Sequence, residues 1–156
     1  MEKTKMLFFG MLTAAGALVF ELFVLVISPA ASEIFLGKIS LMVIFGVLIE
    51  EFFKLAIIWK IYNLAQNKNS IFVNSIFIGL GFFLMEFILS ASQNKTFIEL
   101  AGLPQYFGPF LVHLSAAAIF GYYFYRFKKS AIIGVFAFLS AIILHLAFNA
   151  AIIYGF

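Results

Sequence analysis

The stretch IEEFFKLAIIW, residues 49–59, places three charged side chains within five residues of an apolar run: Glu50, Glu51 and Lys54. Glu50 and Lys54 are four residues apart, on one face of a helix, where they could form an internal ion pair. Glu51 points about 100° away around the helix, so Lys54 cannot neutralise both carboxylates equally well. The stretch is therefore open to two interpretations, a self-satisfied ion pair or a site of acid–base chemistry.

Four more polar residues lie in apolar segments. Glu86, in FFLMEFIL, has no charged neighbour on its own helix, so either its partner comes from another helix or it is a tolerated, protonated acid. His113, in LVHLSAAAIFG, is either a site residue or a neutral histidine bonded to a backbone or serine oxygen. His145 and Asn149 are one turn apart and could donate to a developing oxyanion or simply join two helices.

The composition indicates an integral membrane protein. Of 156 residues, 65% are hydrophobic and 11% charged, against about 25% charged in soluble domains. Cysteine is absent, which excludes disulfides, thiolate metal sites and cysteine nucleophiles. The net charge of +3 comes from Lys and Arg in short connections rather than from a continuous basic stripe, so we expect no nucleic-acid partner.

Five apolar stretches are long enough to cross the roughly 30 Å hydrocarbon core as helices. We expect an all-α integral membrane protein, a single transmembrane domain over residues 1–156. The first stretch follows MEKTK and is longer than a signal-peptide core, so we expect it to be a retained helix. The predicted helices span residues 6–28, 39–62, 71–92, 106–125 and 131–154.

The distribution of basic residues predicts the orientation in the cell membrane. With a cytoplasmic N-terminus, seven Lys or Arg residues fall in inside connections and two in outside ones, which satisfies the positive-inside rule. The C-terminus is then extracytoplasmic. The seven are Lys3, Lys5, Lys60, Lys68, Arg126, Lys128 and Lys129, and the two are Lys38 and Lys95.

The polar residues share one depth. From the rise of about 1.5 Å per residue, Glu50 lies about 16 Å, Glu86 about 9 Å, His113 about 10 Å, His145 about 14 Å and Asn149 about 8 Å below the outer helix ends. A buried charge costs several kcal/mol unless it is paired or hydrated. We therefore predict one polar cavity in the bundle, open to the extracytoplasmic side. Glu21 lies at a similar depth on the first helix, but no spacing links it to a motif, and we interpret it as structural.

Common catalytic motifs are missing. The sequence has no H-E-x-x-H, G-x-S-x-G, Walker loop or G-x-G-x-x-G, which removes the usual support for zinc-protease, serine-hydrolase and nucleotide-binding functions.

Four stretches in order resemble the PrsW-type intramembrane proteases, within the superfamily of CAAX prenyl proteases and bacteriocin-processing proteins. They are EEFFK at 50–54, GLGFFLMEFIL at 79–89, HLSAAAIFGYY at 113–123 and HLAFNAA at 145–151. CAAX-type members carry His where Glu86 stands and usually Arg where Lys54 stands, so the sequence is more similar to the PrsW branch.

The resemblance implies an endopeptidase that cuts a membrane-anchored protein or peptide, with anti-sigma-factor-like regulators as one substrate class. It implies that Glu50 and Glu86 orient a water and that His145 and Asn149 face the carbonyl oxygen. Glu51 and His113 complete the predicted catalytic set, with Lys54 in support. Two close carboxylates tend to share a proton, which leaves one as base and one as acid.

Two questions stay open at this point. We predict metal-free glutamate chemistry with no cofactor, and the alternative is a zinc site made by Glu51, Glu86, His113 and His145. The alternative functions are a non-catalytic scaffold or immunity-type protein of the same fold, and a proton- or cation-coupled transporter, which would also line a cavity with Glu and His.

Overall fold

The computed structural model describes residues 3–64, 69–93, 103–127 and 130–155. Over these residues the chain is almost entirely helical, as predicted. It forms five long helices, α1 (Lys3–Ile27), α2 (Leu41–Leu64), α3 (Asn69–Gln93), α4 (Leu103–Arg126) and α5 (Ala131–Tyr154). A short 3-10 helix (Pro29–Ser32) and two strands, β1 (Phe35–Leu36) and β2 (Ile39–Ser40), connect α1 to α2.

The helix ends agree with the sequence prediction to within three residues, and two of the differences have local explanations. Helix α2 begins at Leu41 rather than at Ile39, because Ile39 and Ser40 pair with β1 in a small antiparallel hairpin that the sequence analysis did not predict. Gly37 supplies the left-handed turn residue of this hairpin, with φ of 68°. Helix α4 begins at residue 103, three residues early, and its Pro104 falls in the first turn, where no backbone N–H is needed.

Four of the five helices are long and apolar enough to cross a membrane, by length and composition alone. They are α1, α3, α4 and α5. Helix α2 is not among them, because Glu50, Glu51 and Lys54 lie in its middle. Its 24 residues would still cover the hydrocarbon core, and the side chains of Glu51 and Lys54 are completely buried among the other helices. That α2 also crosses the membrane stays a prediction, as does the orientation, since Lys68, Lys95, Lys128 and Lys129 lie outside the described residues.

Small residues bring the helices into close contact. Helices α1 and α3 touch through their backbones, since a Cβ at Gly10 would collide with the carbonyl oxygen of Ile78, and one at Gly81 with that of Leu7. Helix α4 packs on α3 through its Ala116–Gly121 segment, where Ala116 and Ala117 are fully buried. Such close approach is typical of helix pairs in membranes, because Gly and Ala keep backbones near each other.

Helix α2 contacts each of the other four helices, whereas α3 packs most extensively on α1 and α4. The apolar core lies towards the C-terminal half of α2, around Ile58, Ile61 and Phe124. Trp59 of α2 packs edge-on against Phe124. The charged residues of α2 thus lie on a helix that contacts all four others, so side chains from several helices can reach them.

Candidate active site

The structure brings together six of the predicted site residues, from four helices. Helix α2 supplies Glu50, Glu51 and Lys54, α3 supplies Glu86, α4 supplies His113 and α5 supplies His145. Each is linked to at least one other by a hydrogen bond or by an ion-pair distance below 4 Å. The common depth estimated from the sequence therefore corresponds to a physical cluster.

Lys54 and Glu51 form the buried centre of this cluster. Lys54 Nζ donates to Glu51 Oε1 over 2.6 Å, and both side chains are 0% exposed. His145 Nδ1 lies 2.8 Å from the same oxygen and donates to it. Because two donors meet at Oε1 and Glu51 Oε2 finds no hydrogen-bond acceptor among the described residues, we assign Glu51 as a carboxylate.

The ion pair on α2 differs from the one that spacing alone suggested. Glu50 Oε2 is 3.9 Å from Lys54 Nζ, too long for a hydrogen bond, whereas Glu51, three residues before Lys54, is in direct contact. The flexible lysine stem reaches either residue, and His145 on α5 supports the carboxylate of Glu51. Glu50 and Lys54 are thus within ion-pair distance, but the two do not satisfy each other alone, because the closer partner of Lys54 is Glu51.

His113 connects Lys54 to Glu86. An ammonium group has no lone pair, so Lys54 Nζ donates to His113 Nδ1, 2.8 Å away. His113 must then carry its proton on Nε2, which donates to Glu86 Oε2. The network thus assigns the tautomer of His113 and gives Glu86 the partner on another helix that the sequence required. The alternative interpretation of His113, a bond to a backbone or serine oxygen, does not apply.

Glu50 is the least engaged carboxylate of α2. Its Oε2 lies 3.8 Å from His145 Nδ1 and makes no hydrogen bond within the described part of the chain. The side chain retains 18% of its exposure, against none for Glu51. A buried oxygen without a partner costs about 1–3 kcal/mol, so such atoms mark places where a water, an ion or a substrate group binds.

Phe82 is a site residue that the sequence analysis missed. Lys54 Nζ lies 4.2 Å from the centre of its ring, and the ring also packs against His113 at 5.0 Å between centroids. The ring face attracts the ammonium group and shields it from solvent. Phe82 precedes Glu86 by one helical turn, and this spacing is the signal by which it could have been found.

Two predicted residues stand apart from the hydrogen-bonded cluster. Asn149 is half-buried one turn after His145, and its side chain makes no hydrogen bond to residues that the structure describes. Glu21 of α1 lies against α2, where a Cβ at Gly46 would be 3.8 Å from its carboxyl carbon. Gly46 precedes Glu50 by one turn of α2. Glu21 is therefore a neighbour of the site without a direct bond to it.

The cluster also offers a metal-ligand set. Glu50, Glu51, His113 and His145 can each present one ligand atom, and these atoms lie within 4.8 Å of one another. Carboxylate oxygen and imidazole nitrogen suit zinc, and the two unpartnered glutamate oxygens are available as ligands. The donor types therefore fit a zinc ion. The zinc site considered from the sequence used Glu86, whereas this set contains Glu50 instead. Glu86 is bonded to His113 Nε2, on the opposite side of the ring from the nitrogen that faces Lys54.

A family model described as PrsW family intramembrane metalloprotease matches residues 4–155 of the chain. The matched range includes nearly all of α1 and the whole of α2 to α5. No match was found among curated proteins or among solved structures.

Proposed function

The chain belongs to the PrsW family of intramembrane metalloproteases, and on that premise we propose that it hydrolyses a peptide bond in a membrane-anchored protein with a water activated by Glu50. The family match supports intramembrane proteolysis in general, as the sequence resemblance implied. The choice of Glu50, and glutamate chemistry as the type, rest on the geometry of the cluster.

The observation that carries this proposal is the contrast between the two adjacent glutamates. Glu51 is held by Lys54 and His145 and has no freedom to move a proton. Each glutamate has one buried oxygen without a hydrogen bond to the described residues, but only the Glu50 side chain is partly exposed, at 18%, and a general base needs such access to reach a water. Glu50 therefore takes the proton of the attacking water, while Glu51 fixes His145 and balances the charge of Lys54.

The other groups complete the requirements of peptide hydrolysis. Glu86, oriented by His113 Nε2, returns a proton to the leaving amine. Asn149, one turn further along α5, donates to the oxyanion from its side-chain amide. His145, whose Nδ1 donates to Glu51, joins it through Nε2 when both ring nitrogens carry a proton. His113 and Lys54 act as positioning residues.

Zinc bound to Glu50, Glu51, His113 and His145 would activate a water and polarise the scissile carbonyl, which is the chemistry that the family description implies. With zinc bound, Glu50 would be a ligand rather than the general base, whereas Glu86 and Asn149, which are outside the ligand set, would keep their proposed roles. The substrate in this proposal is a membrane-anchored protein cut near its extracytoplasmic side, in the cell membrane.

The test is cleavage of a membrane-tethered peptide by purified protein in proteoliposomes. Glu50→Gln and Glu86→Gln keep the side-chain shape and remove the acid–base function, so we expect each to lower kcat by about 10²- to 10⁴-fold. Glu33→Gln, at an exposed position before the β hairpin, is the matched control and should cut like the parent. Cleavage by both variants at the parental rate would rule out the peptidase mechanism, and ion flux in the same liposomes would favour a transporter.

A further inference from the structure

Lys54 lies among the atoms that would hold a metal ion. Its Nζ contacts Glu51 Oε1 at 2.6 Å and His113 Nδ1 at 2.8 Å, and it is 3.9 Å from Glu50 Oε2. Three of the four candidate ligands therefore already face a positive charge. From this geometry we propose that the Lys54 ammonium group is a built-in occupant of the metal position, so that Lys54 and a divalent cation exclude each other from the Glu/His donor set.

The hydrogen bonds of Lys54 explain the exclusion. His113 Nδ1 has a single lone pair, and the ammonium group uses it. The opposite nitrogen of the ring is bonded to Glu86, so His113 has no second lone pair to offer a metal. A metal that binds His113 Nδ1 therefore has to break a charge-assisted hydrogen bond.

Lys54 also has no easy place to go. Its side chain is 0% exposed, and Phe82 packs against the ammonium group. If the metal entered while Lys54 stayed nearby, two positive charges would lie a few ångströms apart in a site of low dielectric constant, where repulsion is strong. Lys54 therefore stabilises the site without metal, a role that would otherwise require the ion.

Zinc binding by variants at position 54 tests this proposal. The purified protein, its Lys54→Met variant and its Lys54→Gln variant are stripped with a chelator in detergent micelles and then dialysed against buffered free zinc. We expect the methionine variant, which keeps the aliphatic stem and removes the charge, to bind zinc about tenfold or more tightly than the parent. Bound zinc should also raise its Tm, and the Tm of the parent should change little.

Additional variants make the result specific. Lys54→Gln, whose amide can still donate to Glu51, keeps the test available if the methionine variant does not fold, and should also bind zinc more tightly than the parent. Adding His145→Ala to either variant should abolish the gained zinc binding, because one ligand is removed. Lys60→Met, an exposed lysine on the same helix, should leave zinc affinity at the parental value.

The proposal would be overturned if the parent bound zinc as tightly as both position-54 variants, or more tightly. Gained zinc that survives His145→Ala would overturn it as well, because the metal would then lie elsewhere. Zinc affinity and Tm are measured without substrate. If zinc binding does not depend on Lys54, the peptidase proposal is unaffected, and if the protein cleaves no peptide, the role of Lys54 in excluding zinc can still be tested.

Discussion

The buried ion pair of Glu51 and Lys54 gives a quantitative prediction. Both side chains are 0% exposed and lie 2.6 Å apart, so each is the main counter-charge of the other. Removing one partner of a buried pair costs about 3–5 kcal/mol, because it leaves the other charge unpaired. We expect Lys54→Met to fall in this range. Glu51→Gln should fall at its lower end, because Glu50 remains 3.9 Å from the ammonium group.

The double variant Glu51→Gln/Lys54→Met removes both charges. Replacing a whole buried pair by neutral groups of similar volume is often close to neutral. We therefore expect the free energy of unfolding of the double variant to lie within about 2 kcal/mol of the parental value, which gives a coupling energy of about 4 kcal/mol or more. Unfolding is followed by titration with sodium dodecyl sulfate in mixed micelles, using the fluorescence of Trp59, which is the single tryptophan of the chain.

Lys60→Met is the control for the loss of a lysine on α2. Lys60 is exposed, and its replacement should change the free energy of unfolding by less than about 0.5 kcal/mol. The reasoning is refuted if the two single variants each cost less than about 1 kcal/mol, or if the double variant costs as much as their sum. Either result would mean that the two charges are solvated separately and that the ion pair does not hold α2 in place.

Three further predictions use other parts of the fold. Asn149→Ala should lower kcat by about 10²- to 10³-fold. Its free energy of unfolding should stay within about 0.5 kcal/mol of the parental value, because Asn149 makes no hydrogen bond to the described residues. A loss of stability large enough to explain the loss of activity would contradict an oxyanion role. Gly81→Ala should destabilise the protein by about 1–3 kcal/mol in the same titration, because its Cβ would meet the backbone of α1, whereas Gly46→Ala, with ordinary contact only, should be neutral or stabilising. Because the chain has no cysteine, a single introduced cysteine reports on which side of the membrane its position lies. In intact cells a membrane-impermeant maleimide should label Glu33→Cys and should not label Phe127→Cys. The reverse labelling pattern would disprove the cytoplasmic N-terminus.

Much of the site could be predicted because buried charge is costly in an apolar segment. Glu86 had no charged partner on its own helix, which left a contact with another helix or a tolerated, protonated acid, and the structure places His113 of α4 against it. The similar depths of Glu50, His113 and His145 predicted a cluster, since each helix rises by the same distance per residue. These inferences needed only chain length, helix geometry and the cost of an unpaired charge.

The details of pairing could not be predicted from spacing. The sequence permits Lys54 to pair with Glu50, four residues before it, or with Glu51, three residues before it, and both spacings allow contact on a helix. The choice depends on His145, which is 94 residues away from Glu51 in the chain and supports that carboxylate. The β hairpin at residues 35–40 was missed for a similar reason, because strands of two residues are too short to show a periodic pattern.

The two adjacent glutamates show how one fold can be both stable and reactive. Lys54 and His145 satisfy Glu51, and the energy of that pairing offsets the desolvation of three polar groups between helices. Glu50, one residue earlier, lies about 100° away around α2, makes no hydrogen bond from Oε2 to the described residues and keeps 18% of its side chain exposed. The general base that we propose needs such access to a water, and the fold tolerates a poorly paired Glu50 because Lys54 and Glu51 already bond α2 to His113 of α4 and His145 of α5. In the proposed mechanism the two adjacent glutamates therefore divide two roles, since Glu51 anchors the cluster and Glu50 reacts.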